Sequence, residues 1–409
     1  MSTLPVALAA ALAESVDSMA DELIEISHAI HGRPELAFQE HFAAETLCAA
    51  VQRRGLRAER GVFTLPTAFE AAFAGALTDY PETTAGGSAR APTVALLAEY
   101  DALPGIGHAC GHNIIATTAL GAALALHALA GQLPGRVRLL GTPAEEQGGG
   151  KELMARAGAF EGVDAALMIH PAGLNLTEMP CICVAEVEVV YHGRAAHASA
   201  MPHRGINALD ALLLAYQSIS NLRQHIRPTE RIHGIITDGG QAPNIVPERA
   251  AGRFFVRAAN ERALAALKPR VQACFEAGAL GTGATVDVRW AGVDYLDLNS
   301  NGPLADAFQR HGEALGRVFQ APAALGGAGS TDMGNVSQRV PSIHPMLAAA
   351  PPQVVIHHPD FARWAASDMG DRAVIDGAKA LALTAAEFLC SPDLQARTRR
   401  AFDISRGLT

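Results

Sequence analysis

Val94-Ala-Leu-Leu-Ala-Glu-Tyr-Asp101 is the stretch on which the fold of this 409-residue chain turns. Apolar almost throughout and without alternation, it reads as a strand buried on both faces, the habit of parallel sheets covered by helices. Downstream the pattern alternates. A helix is predicted from about Asn113, then a strand over Val137 to Gly141, a helical segment near Lys151 to Ala157, and a strand over Ala165 to Ile169. Upstream, apolar positions at helical spacing predict two opening helices, from about Leu12 to Ile30 and from His41 to Arg53, separated by His31-Gly32-Arg33-Pro34. The polar Pro81 to Pro92 stretch reads as a surface loop.

Around Cys183 the texture changes. Val184 to His192 is a long β-branched strand, followed by a helix (Asn207 to Arg223), strands at Ile232 to Thr237 and Arg249 to Arg257, a helix (Glu261 to Ala277) and a strand, Thr285 to Trp290. That β-α-β-β-α-β order is the ferredoxin-like unit. The remainder returns to α/β, with a helix from Pro303 to Val318, a strand near Val354 to Ile356 and a helix from about Ser367 to Leu389. The expected architecture is therefore an α/β domain with a mostly parallel sheet flanked by helices, built from 1–183 and 292–409, with an inserted α+β domain at 184–291.

Composition narrows the function classes. At 49% hydrophobic and 18% charged the chain is that of a folded globular protein, and its net charge of −9 provides no basic footprint for nucleic acid or for an anionic membrane. The apolar run from Ile114 to Gly131 is interrupted by Thr117, Thr118 and His127, so it reads as a buried helix. Six scattered cysteines form neither a disulfide framework nor a paired zinc ribbon, and no Lys or Arg precedes the apolar Leu4 to Ala13 segment, so a cytoplasmic protein is expected.

Four segments place polar clusters after apolar runs, where α/β proteins gather ligands at the carboxyl ends of parallel strands. In Cys110-Gly-His112 a thiol and an imidazole two residues apart suit zinc or a similar metal, with His108 as a rival ligand. Glu145-Glu146 ends the Leu139-Leu140-Gly-Thr-Pro-Ala run; adjacent carboxylates point in different directions, so one can hold a metal while the other serves as a general base. His170-Pro171 closes one apolar run and His357-His358-Pro359 another. Each motif alone also has an ordinary reading as a helix cap or a structural histidine. Their coincidence points to one or two divalent ions, in the second case sharing a ligand, most naturally Cys110.

These motifs resemble the zinc-dependent aminoacylase and carboxypeptidase-type metallopeptidases, in the amidohydrolase branch that includes aminobenzoyl-glutamate hydrolase and β-alanyl-lysine dipeptidase. The resemblance runs from Ile30-His-Gly-Arg-Pro-Glu-Leu36 to the C-terminal helix. It implies Cys110, His112, Glu146, His170 and His357 as ligands of zinc or manganese, with cobalt or nickel as further options. It also implies Glu145 as general base, and hydrolysis of an N-acyl amino acid, an aminobenzoyl-glutamate-like conjugate or a dipeptide. The inserted domain is similar to the family's lid and dimerisation domain. There Gly193-Arg-Ala-Ala-His197 matches the motif whose histidine stabilises the oxyanion in the partner's site of a homodimer, and Asn244 matches a substrate contact. Ser330 and Thr331 lie in a loop that resembles a substrate-side wall. From the residues alone, His197 also reads as a surface or capping residue, Asn244 as a loop turn, and Ser330-Thr331-Asp332 as a helix cap. One departure concerns the metal, because Asn113 stands where many hippurate-type relatives carry an Asp that would partner the ligand histidine. A deaminase on the same scaffold, or a binding protein that has lost its chemistry, are the competing readings.

Overall fold

The computed structural model describes residues 4–75, 91–321 and 328–407; most of the expected Pro81 to Pro92 loop lies outside them. The chain divides into two compact units, one from the segments up to Pro180 and from Leu298 onward, the other Cys181–Asp297.

In the first unit the described strands make a six-stranded sheet. Its order is Ala58–Arg60, Phe69–Ala74, Arg136–Thr142, Thr93–Glu99, Ala165–Leu167, Ser342–Ile343. The last four run parallel and the first two antiparallel. Every residue of Thr93–Glu99 is buried, as its unbroken apolar run requires. The His112–Ala128 helix, buried along most of its length, packs on this strand and on the Ala20–Gly32 and Asp368–Cys390 helices. It is thus a core helix, as its apolar run suggests.

Several expectations need correction. The single helix expected from Leu12 to Ile30 is two, Val6–Asp17 and Ala20–Gly32, because Met19 leaves helical geometry and Ser18 caps the first by bonding the Ser15 carbonyl at 2.8 Å. The run from Ala165 to Ile169 ends at Leu167; His170–Ala172 opens a second, small sheet, ordered Phe319–Gln320, Asn175–Leu176, Met346–Ala348, His170–Ala172. The expected strand at Val354 to Ile356 is an irregular turn, framed by Pro351-Pro352 and Pro359, with Val355 largely exposed. The parallel strands near that end are instead Ser342–Ile343 and Met346–Ala348.

The second unit is a four-stranded antiparallel sheet in the order Thr285–Trp290, Cys183–His192, Arg249–Ala258, Arg231–Asp238. The Ala208–Leu222 and Glu261–Thr282 helices close a separate core against one face. Asn207 and Asn260 cap these helices with their side chains, accepting backbone N–H groups of the first turn.

Candidate metal centre

Beyond Glu99 the chain runs through Tyr100-Asp101, turns tightly between Leu103 and Gly107, and returns to the carboxyl end of its own strand at Cys110. Gly111 makes the return possible. Its φ is +74°, and a Cβ there would stand 2.6 Å from Pro171 Cγ, so the loop presses against the segment that carries His170. His112 then opens the helix.

Asp101 fixes this loop at two points. Its Oδ1 lies 3.1 Å from His112 Nδ1, and its Oδ2 accepts the Glu146 backbone N–H at 2.9 Å. A carboxylate at Nδ1 places a ring proton there, so the neutral imidazole carries its lone pair on Nε2, since the tautomer follows the hydrogen bond made by the other nitrogen. His170 is set the same way: its Nδ1 sits 2.7 Å from the Pro171 carbonyl, which can only accept, and its Nε2 faces Cys110 Sγ at 3.3 Å. His357 arrives on the irregular turn with φ +62°, its backbone N–H bonded to Ala109 O at 2.9 Å and its Nε2 3.5 Å from Glu146 Oε2. Ala144, just ahead of the acid pair, is also left-handed, at φ +62°. Two non-glycine residues held in this region border the same cluster, where backbone strain is commonly found. Beneath Ala144, buried Glu40 accepts its N–H at 2.9 Å.

Three groups bring their ligand atoms within 4.8 Å of one another: Cys110 with His112 and His170; Cys110 with Glu146 and His357; and Glu99 with His112 and Glu145. Cys110 belongs to two of them. Glu99 Oε1, His112 Nε2 and Glu146 Oε1 are buried and make no hydrogen bond. Such orphaned atoms are costly unless a partner meets them, and nitrogen, oxygen and sulfur donors together suit a borderline divalent ion. The residues fit the metal.

The electrostatics agree. Burial pushes Glu145 well above the usual carboxylate range, with Glu99, Glu146 and Asp332 adding to it. Burial likewise raises Glu146 to about 7, against the pull of His112. Cys110 is raised by burial and by Glu146. Burial opposes charge on His112, but Glu99, Cys110 and Asp101 outweigh it and raise that imidazole. Burial and the neighbouring His112 lower His170 to about 3. A buried site this rich in acids is short of positive charge.

The other sequence-selected residues are placed as follows. Asn113 does not face His112; it donates to Ser27 Oγ and the Ala365 carbonyl, both at 2.9 Å, and Asp101 takes the role that the resemblance gives to an Asp at 113 in relatives. His358 caps the Pro359–Trp364 helix. Thr331 is buried and its Oγ1 accepts the Met333 N–H, while Ser330 is half-buried. In the second unit His197 and Ile245 form a bridge, Ala198 donates to the Asn244 carbonyl, and both His197 and Asn244 are exposed. Sequence reading missed Asp101 and Glu99, though two acids flanking Tyr100 at the end of a buried run were a visible signal.

Residues 95–386 match the profile of Peptidase family M20/M25/M40. The chain belongs to this family. It is 42% identical to the mouse Xaa-Arg dipeptidase over 95% of this chain and 91% of that protein, and 38% identical to the human one over 96% and 91%. One of the subunits of the Escherichia coli p-aminobenzoyl-glutamate hydrolase is 34% identical over 68% of this chain and 59% of its own. Among solved structures, a dinuclear metal-binding M20 peptidase of Bacillus subtilis superposes with a TM-score of 0.67 at 22% identity, covering 91% of this chain and 99% of its own, which supports the fold. This M20 protein is a metal-dependent hydrolase of the amidohydrolase and dipeptidase kind, and the cluster above supports divalent metal binding. Among the described residues, no helix is long and apolar enough to cross a membrane.

Proposed function

We propose that this M20 hydrolase is a dipeptidase that releases a basic C-terminal amino acid, with Cys110, His112, Glu146, His170 and His357 holding one or two zinc or manganese ions. The observation that carries the assignment is that Cys110 Sγ joins two groups of ligand atoms, one with His112 and His170 and one with Glu146 and His357. The substrate class follows the Xaa-Arg dipeptidases to which this chain is 42% and 38% identical.

Bound metal would supply the Lewis acidity that polarises the scissile carbonyl and eases deprotonation of water. Glu145 takes that proton and later passes one to the leaving amine. Its burial keeps its basicity above that of an ordinary carboxylate, which suits proton transfer near neutral pH. Asp101 keeps His112 in one tautomer throughout.

The inserted segment read as 184–291 serves as lid and dimerisation domain, and its His197 stabilises the oxyanion in the partner's site. An open groove against His197 is lined by Arg194 and Arg204, whose guanidinium groups suit an anionic group. Asn244 and Ser330 contact substrate, and Thr331 shapes the wall through its cap. The Arg231–Asp238 edge strand, with Ile235 and Ile236 exposed, suits self-pairing in a homodimer. All six cysteines are free, which fits the cytoplasm.

Mass spectrometry after incubation with Xaa-Arg, Xaa-Lys and β-alanyl dipeptides, aminobenzoyl-glutamate and N-acyl amino acids, with and without chelator, tests the reading. Metal-dependent release of free Arg or Lys is expected. Glu145→Gln should retain metal while losing several decades of rate, and His357→Ala should lose metal occupancy; near-normal turnover by Glu145→Gln would exclude the assigned role.

A further inference from the structure

We propose that Glu99 is an additional ligand of the metal centre, presenting Oε1 to the cation, and that the buried Lys151–Asp332 pair holds it in that position. The inference rests on the ligand assignment above and extends it to a residue outside the five.

Glu99 ends the central strand and is 1% exposed. Its two oxygens meet different surroundings. Oε2 receives the Lys151 ammonium, which is itself fully buried and also donates to Asp332 Oδ1 at 2.7 Å. Asp332 Oδ2 accepts the Lys151 backbone N–H at 2.8 Å, so lysine and aspartate are locked together at the start of the Gly150–Arg156 helix. This arrangement fixes the Glu99 carboxyl plane and aims the other oxygen elsewhere.

Oε1 lies 3.0 Å from His112 Nε2, yet neither atom makes a hydrogen bond. Because Asp101 takes the Nδ1 proton, what stands between Nε2 and this carboxylate oxygen is either a second ring proton, which the raised imidazole of the metal-free protein accommodates, or a metal ion that displaces it. Two electron-rich atoms this close repel unless a cation lies beside both. Two ligands bound to one ion at about 2.0 to 2.2 Å and near right angles are separated by about 3 Å, so the spacing suits a shared metal. The charges lead to the same conclusion. Lys151 gives one positive charge to two carboxylates, Glu99 and Asp332, which leaves one negative charge without a counterpart, and the open oxygen is Oε1. Glu145, in the same group of atoms, adds a further carboxyl and no positive charge.

Three measurements decide the matter. In crystals of the metal-loaded wild-type protein, Glu99 Oε1 should lie within roughly 2.0 to 2.2 Å of an ion. Competition with a chromophoric chelator should show Glu99→Gln binding its metal at least tenfold more weakly than wild type. The visible spectrum of the cobalt-substituted protein should also change in Glu99→Gln, since losing a ligand alters the coordination geometry. An ion held by Cys110, His112 and His170 with Glu99 Oε1 beyond about 3 Å, or unchanged affinity and spectrum in Glu99→Gln, would overturn this inference and leave the ligand assignment standing. Wild-type protein that binds no metal would overturn both. If Glu99→Gln fails to fold, the wild-type distance decides alone.

Discussion

Asp101 performs two tasks with its two oxygens, orienting the His112 ring and anchoring the backbone of Glu146. An amide has one acceptor and one donor, so Asp101→Asn can satisfy only one of them and favours the His112 tautomer whose Nε2 carries the proton. We expect metal retention to fall 10- to 100-fold, the usual effect of losing a partner behind a ligand. Equilibrium dialysis with elemental analysis measures this, and an unchanged circular dichroism spectrum separates it from unfolding. The family resemblance puts the histidine's partner at position 113, one residue away in the chain, where this sequence has Asn. The actual partner is eleven residues earlier, and the helix directs Asn113 away from the site toward Ser27 and Ala365. Which side chains meet across a loop depends on how the loop turns, and residue types alone do not encode that turn.

The turn from Pro143 to Gly150 delivers both Glu145 and Glu146, and its closure depends on a glycine. Gly150 donates to the Ala144 carbonyl at 3.0 Å, and a Cβ at Gly150 would fall 1.8 Å from the Pro143 oxygen. Gly150→Ala should therefore displace the turn, lowering stability by about 1 to 3 kcal/mol in urea denaturation and reducing turnover. Gly131→Ala, where a Cβ would meet nothing within 4 Å, should be close to neutral in both assays. Long elements were legible for the same local reasons: Thr93–Glu99 and His112–Ala128 are apolar enough to be buried wherever they go. Short runs were not. Val354 to Ile356 has the composition of a strand, but the flanking prolines and an exposed Val355 leave it a turn, and the His170–Ala172 strand pairs in a different sheet from the run before it.

The first unit gathers Glu99, Asp101, Glu145 and Asp332 in its interior beside half-buried Glu146, with Lys151 paired to Glu99 and Asp332. Removing metal should cost stability, because an ion that binds only the folded state stabilises it by mass action. The metal-free protein should also respond to pH. Burial lifts Glu146 from 4.5 to about 7, so between those values the folded state holds more protons than the unfolded one, and stability falls as pH rises through that window. Glu145 is raised as well and extends the decline upward. Buried His108, His170 and His344 are lowered and act in the opposite direction up to about pH 6.5, so thermal melts with chelator should drop most clearly from there to about pH 8, while metal-loaded protein shows a smaller decline. A chelated protein whose midpoint rises between about pH 6.5 and pH 8 would contradict this account.

The sequence by itself determined the α/β class, the inserted β-α-β-β-α-β unit, the candidate donors and the acid pair, because burial patterns and donor chemistry are local properties of residues. Only the tertiary structure decided that Asp101 backs His112, that Glu99 turns one oxygen toward Lys151 and the other toward His112 Nε2, and that His357 arrives on a strained turn. Those facts depend on ångström-scale distances between side chains brought together by loops, and such distances are set by how the whole unit packs.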